Sequence, residues 1–280
     1  MQIAVASGKG GTGKTLISGC LMKILEEENA ALIDADVEEP NAGLFFTPAS
    51  LERNTVHRLV PEIDPDACVL CGKCAEACRF NALVVIADKV LVFKELCHSC
   101  GACAYLCPHG AIKEKEHSIG VIEEARLPGN GTLVIGRLTV GEAQSPPLIK
   151  AAKRKSTQAA VRIIDCPPGT TCAMIEAISD SDYCLLVTEP TPFGLHDLEL
   201  SVEAVRMLGI PGGLVINRWQ GEEKELTCLS RKTGFPILAC IPFSKELAQT
   251  YMQGGEALEA FPALRSILKD LIKRVKEELS

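Results

Sequence analysis

Nowhere does the 280-residue sequence run to the ~18 uninterrupted apolar residues that a membrane-spanning helix needs, which argues against an integral membrane protein. Aromatic residues are few: one Trp, three Tyr and eight Phe. No excess of basic charge is present either. Twenty-nine Lys and Arg stand against 36 Asp and Glu, a net charge of -7, and the basic residues are scattered, so a nucleic-acid binder relying on phosphate contacts is not expected. The first residues, MQIAVASGKGGTGKT, lack the basic stretch, apolar segment and cleavage site of a signal peptide, and a cytoplasmic location is the expectation. Cysteine, by contrast, is abundant at fourteen residues. In a reducing compartment disulfides do not persist, so this number points to metal or redox chemistry.

Eight of the fourteen cysteines fall between Cys68 and Cys107; the other six, Cys20, Cys166, Cys172, Cys184, Cys228 and Cys240, are dispersed and form no CxxC pair. The contrast marks an inserted module. Around it lie short apolar runs: IAVAS and AALIDAD before, then TLVIG, VRIID, YCLLVT, GLVIN and ILACI after. Stretches of helical periodicity separate most of them, which predicts an α/β fold with a mainly parallel sheet covered on both faces. Residues 264–279 carry one apolar stripe, the pattern of a terminal helix packed on the sheet. The expected division is 1–60 and 119–280 for one discontinuous nucleotide domain and 61–118 for the insert. Turn chemistry at Pro61, Asp64 and Pro65, and the mixed-charge KEKEH run at 113–117, are read as its linkers.

Gly8, Lys9, Gly10, Gly11, Thr12, Gly13, Lys14 and Thr15 match the P-loop pattern G-x-x-x-x-G-K-[ST], after a predicted strand and before a predicted helix. Glycines let backbone amides converge on phosphates, and the helix N-terminus adds partial positive charge. Lys14 would meet the β and γ phosphates of ATP and Thr15 would ligate Mg²⁺. Carboxylates at the ends of parallel strands, such as Asp34 and Asp36, face the ligand crevice, where they hold Mg²⁺, orient water or simply cap a turn.

With Lys9 opening the loop, KGGTGKT resembles the deviant P-loop of the MinD, ParA and nitrogenase iron protein superfamily. The resemblance extends to IDADVEEPN, IIDCPPGT and INR, and covers the chain outside the insert. It implies that Lys9 reaches across an ATP-dependent homodimer to the partner's nucleotide. It implies further that Asp36 positions the attacking water, that Asp165 supports Mg²⁺ and Gly169 senses the γ-phosphate, and that Asn217, followed by Arg218, meets the nucleotide base.

The clustered cysteines form two copies of C-x2-C-x2-C-x3-C, Cys68, Cys71, Cys74, Cys78 and Cys97, Cys100, Cys103, Cys107, offset by 29 residues. This is the spacing of a bacterial two-cluster ferredoxin. Three close thiolates hold three corners of a [4Fe-4S] cube, and the fourth leaves on the outgoing segment toward the other cube. The expected sets are therefore Cys68, Cys71, Cys74, Cys107 and Cys97, Cys100, Cys103, Cys78. Zinc knuckles are the competing reading of CxxC pairs. Pro108 follows Cys107 as in ferredoxins, but Arg79 follows Cys78, where it either tunes a cluster or faces solvent. Cys166 and Cys172 flank the second switch and are candidate ligands of a metal shared in a dimer, or ordinary interior residues. His98 lies between two cysteine ligands and is read as exposed rather than coordinating, and His57, His109, His117 and His196 lack partners at ligand spacing.

Together the motifs resemble MinD-superfamily ATPases with an inserted ferredoxin domain. The expected function is ATP hydrolysis coupled to electron transfer or metallocluster assembly on a client redox or metalloprotein. The alternatives are a MinD- or ParA-like positioning or regulatory ATPase with its clusters as redox sensor, and a ferredoxin whose nucleotide domain no longer turns over.

Overall fold

All seven apolar runs are strands of one sheet in the computed structural model, which describes residues 1–48, 50–221, 223–253 and 255–279. They are β1 (Gln2–Ala6), β2 (Ala30–Asp34), β7 (Thr132–Leu138), β8 (Val161–Asp165), β9 (Tyr183–Thr188), β10 (Gly212–Trp219) and β11 (Ile237–Pro242). Their order is β11-β10-β9-β1-β8-β2-β7, all parallel, with β1 flanked by β8 and β9. Neighbouring residues of each strand serve opposite faces. Ile3, Val5, Leu32 and Ile163 pack into one core, with helices α1 (Lys14–Ile24) and α10 (Pro262–Glu278). Ala4, Ala6, Ile33 and Ile164 pack into another, under α4 (Pro146–Lys153), α5 (Cys172–Ile178) and α6 (Pro192–Met207). Burial on both faces is why these runs show no polar alternation. The 264–279 stripe is buried at Leu264, Leu268, Leu271 and Val275 against the first core, as its periodicity predicts. Among the described residues no helix is long and apolar enough to cross a membrane.

The linker reading of Pro61 and of 113–117 is corrected. Both lie inside a long antiparallel ribbon of β3 (Glu52–Ile63) and β6 (Ile112–Arg126), paired from Glu52 with Glu124 to Ile63 with Ile112. The inner half of β6 pairs antiparallel with β7 and extends the sheet; the outer half projects away with charged residues on show. Charged, solvated alternation of this kind resembles a linker because the usual apolar strand signal is missing. At the ribbon's tip Val60 and Ile112 join Ala82, Leu83, Cys97 and Cys103 in a third, separate core. That core is completed by helices α2 (Lys73–Ala77) and α3 (Ala102–Tyr105) and by a hairpin of β4 (Leu83–Ile86) and β5 (Lys89–Val92).

Candidate functional site

The P-loop leaves β1 and enters α1 at Lys14, so its amides sit at a helix N-terminus beside the sheet's C-terminal edge. Gly8 and Gly13 are required by space and conformation. A Cβ on Gly8 would lie 2.3 Å from the Asp197 carbonyl oxygen of α6; one on Gly13, whose φ is +95°, would lie 2.4 Å from Asn217 Nδ2. Asn217 in turn donates to the Thr12 carbonyl at 2.7 Å, fastening the end of β10 to the loop. One cavity is lined by Gly10, Gly11, Gly13, Lys14, Thr15, Asp36, Asn217 and Arg218, eight positions singled out in the sequence and drawn from three separate segments.

Asp36 lines it, and two more carboxyls, Asp34 and Asp165, are close enough to act on its charge. Asp34 is fully buried, and its two oxygens accept from the amides of Asp36 (3.2 Å) and Ala42 (2.8 Å), so it caps the 35–42 turn. Asp165 accepts from Ser18 Oγ at 3.1 Å through Oδ1, while its buried Oδ2 has no partner. An orphaned buried carboxylate oxygen beside Thr15 fits Mg²⁺. Burial pushes the carboxyls of Asp36 and Asp165 up to about 6, with Lys14 pulling both back; burial and the neighbouring Asp165 also raise Asp34. In the folded chain Asp36 and Asp165 take up protons near pH 6, whereas in the unfolded chain they do so only near 3.8. The stability this adds is full below 3.8 and lost as pH rises through about 6, so the metal-free fold is strained by charge at neutral pH. Asp165→Asn is thus expected to raise the metal-free melting temperature at pH 7.5 by a few degrees and to abolish stabilisation by Mg²⁺ with nucleotide. A thermal scan with and without Mg²⁺-ADP reads both; a lower metal-free midpoint would contradict the charge strain.

The cysteines form two cavities, each lined by a crossed set. One has Cys68, Cys71, Cys74 and Cys107 in its wall, the other Cys78, Cys97, Cys100 and Cys103. The 29-residue repeat extends to the backbone. Leu70 and Ser99, Gly72 and Gly101, and Asn81 and Gly110 all have positive φ between +54° and +78°. Amides of Ala82 and Ala111 donate to Cys78 and Cys107 sulfurs at 3.3 and 3.4 Å, and Ser99 donates to Cys97 at 3.4 Å. Burial raises the Cys74 thiol and pushes Cys103 up to about 11, so neither is a thiolate at neutral pH without a cation beside it. Among the described residues no three His, Cys, Asp or Glu converge on a single ion position. His98 is exposed and stacks on Phe80 with centroids 3.7 Å apart, and Arg79 is exposed. Cys166 is fully buried, its thiol pushed well up by burial, while Cys172 is exposed at the start of α5.

Residues 3–257 match the model of the CobQ/CobB/MinD/ParA nucleotide binding domain. The chain belongs to that family. Uncharacterized protein MJ0579 of Methanocaldococcus jannaschii is 32% identical over 278 residues, covering 97% of this chain and 96% of that one. The crystal structure of the Pyrococcus furiosus cell division ATPase MinD shares the fold, with a TM-score of 0.60 at 18% identity over 98% of each chain. The NADP-reducing hydrogenase subunit HndD of Solidesulfovibrio fructosivorans is 27% identical over 103 residues, 32% of this chain and 16% of that protein. In this MinD/ParA-type domain, nucleotide binding belongs to the family, and members such as the Pyrococcus MinD are ATPases.

Lys9 is not among the residues that line the cavity. Its ammonium lies 3.7 Å from Glu189, just past β9, and Glu189 also holds Arg218 at 2.6 Å. Arg218 is itself held in a left-handed conformation, φ +55°. Glu189 escaped the sequence reading, although an acidic residue closing a buried parallel strand next to the P-loop strand is a detectable signal. Tyr251, Phe243 and Met252 also line the nucleotide cavity, and only the folded C-terminal segment reveals them.

Proposed function

We propose that this chain is an ATP-hydrolysing iron–sulfur protein whose nucleotide-driven dimer switch is coupled to electron transfer, or to metallocluster assembly, on a client redox or metalloprotein. The nucleotide domain comprises 1–60 and 119–280, and residues 61–118 are an inserted two-cluster ferredoxin domain. The observation that supports it best is the pair of cysteine cavities, each walled by the four thiols of one crossed set, in the same chain as an intact P-loop. A cube places its four ligands on four different irons, so the sulfurs surround a cavity rather than a point; zinc would need them convergent. When bound, the clusters supply one-electron carriers. Cys68, Cys71, Cys74 and Cys107 hold the first, Cys78, Cys97, Cys100 and Cys103 the second, and backbone amides stabilise their sulfur charge.

At the nucleotide, Lys14 and the loop amides neutralise the phosphates of ATP, Thr15 and Asp165 hold Mg²⁺, and ionised Asp36 orients water toward the γ-phosphorus. Gly169, at φ +88° beside Asp165, reports the γ-phosphate, and Asn217 with Arg218 frames the base. Lys9 must leave Glu189 to reach a partner's nucleotide. Lys9→Ala is therefore expected to abolish ATP-dependent dimerisation and to slow hydrolysis by about 10³-fold, the size of a trans-acting cation's contribution. Glu189→Gln should instead promote dimerisation, and light scattering with Mg²⁺-AMPPNP distinguishes the two. The function itself is tested by anaerobic redox titration with Mg²⁺-ATP, Mg²⁺-AMPPNP and no nucleotide. A nucleotide-dependent shift in at least one cluster potential is expected; identical titrations under saturating nucleotide would contradict the coupling.

A further inference from the structure

The cysteine module is joined to the nucleotide-bearing sheet by more than its ribbon. Arg58, on β3, is almost wholly buried; its Nη1 donates to the Cys97 carbonyl at 2.6 Å and its Nη2 to the Lys94 carbonyl at 2.7 Å. The same Nη2 meets Glu142 at 3.0 and 3.3 Å, both side chains being 4% exposed, and His117 stands 3.4 Å from Glu142 on the other side. Glu142 belongs to the segment that follows β7, folded back through its amide bond to Thr139 at 3.0 Å. The end of β7 that leads into it is tied to the loop carrying Asp36: the Leu138 amide donates to the Val37 carbonyl at 2.8 Å, and Val37 Cγ1 lies 2.5 Å from where a Cβ on Gly136 would stand. A continuous chain of bonds thus runs from the turn beside Asp36 to the backbone of a second-set cysteine.

The ribbon alone is a poor transmitter at this place. Its register shifts between Val56 and His57, one residue before Arg58, and such an irregularity lets a two-stranded ribbon bend. A buried, forked ion pair resists bending because separating it would strand two desolvated charges. The first cysteine set is anchored differently. Cys68 donates to Asp64 and Asp64 to Ala111, bonds made wholly within the module.

We propose that Arg58, clasped by Glu142, is a positioning residue that carries nucleotide-dependent movement of the 35–41 turn to the Cys97–Cys103 loop and not to the Cys68–Cys74 loop. The proposal rests on the nucleotide-switched reading given above. Coupling of this kind requires an element that both sites bias, and the Asp36 turn linked to the clasp supplies one.

Hydrogen–deuterium exchange of the anaerobic full chain, with and without Mg²⁺-AMPPNP, tests it in wild type, Glu142→Gln and Arg58→Lys. In wild type the nucleotide should alter exchange of the 94–103 amides and leave 68–74 unchanged. Both variants should lose the 94–103 response while the 30–34 strand keeps its protection, which shows that the fold is intact. A response that persists in both variants, one of equal size at 68–74, or none in wild type despite nucleotide binding would overturn the clasp. Iron content and AMPPNP affinity are measured on the same samples. Their absence overturns the functional reading and the clasp with it, whereas their presence without a response overturns the clasp alone.

Discussion

Lys14→Met is expected to lower ATP turnover by about 10²–10³-fold while leaving the iron content per chain unchanged. Lys14 is the first residue of α1, 6% exposed, with its charge opposite Asp36 and Asp165 and its side chain on the wall of the cavity. Its removal takes away the charge that meets the phosphates. It also leaves the buried Asp165 and the part-buried Asp36 without their main counter-charge, so both are pushed further up and Asp36 spends less time ionised at neutral pH. Phosphate release and ATP affinity should fall together. Turnover within an order of magnitude of wild type would mean that hydrolysis in the preparation comes from another source or that the loop holds phosphates without this side chain.

The second large effect concerns the crossing of the cysteine sets. Cys107→Ala is expected to remove the cluster of Cys68, Cys71 and Cys74 and to spare that of Cys97, Cys100 and Cys103, although Cys107 lies four residues from Cys103 and more than thirty from Cys74. About half of the iron should be lost. Cys78→Ala should remove the other half and destabilise the module more, because its set includes Cys97 and Cys103, which are buried in the small third core with Val60, Leu83 and Ile112. Iron analysis with electron paramagnetic resonance of the surviving cluster separates the two variants. The same surviving spectrum in both would contradict the crossed assignment.

How far the sequence could be read follows from the range of the interactions involved. The P-loop is local, eight consecutive residues whose roles come from backbone amides, and the structure assembles it with Asp36 and Asn217. The gathering of the eight cysteines around two cavities follows a spacing that repeats, with each fourth cysteine leaving in the same direction. The turn that Asp34 caps was not legible: nothing in IDADVEEPN says that the Ala42 amide returns to it. The β3 and β6 ribbon was hidden because its outer half is charged on show and carries Pro61, features of a linker when no partner strand is in view. Arg58 and Glu142 are 84 residues apart. No local pattern predicts that one of the two arginines of a polar strand will be buried against a cysteine's carbonyl, since only the folded ribbon brings them together.

The measurement that bears most directly on the whole account is the iron and acid-labile sulfide content of anaerobically purified protein, read together with its zinc content. Two cubes predict about eight irons and about eight sulfides per chain, with negligible zinc. Fewer than about four irons, or zinc bound in stoichiometric amount, would contradict the two-cluster module and leave a nucleotide-binding domain whose eight clustered cysteines serve another chemistry.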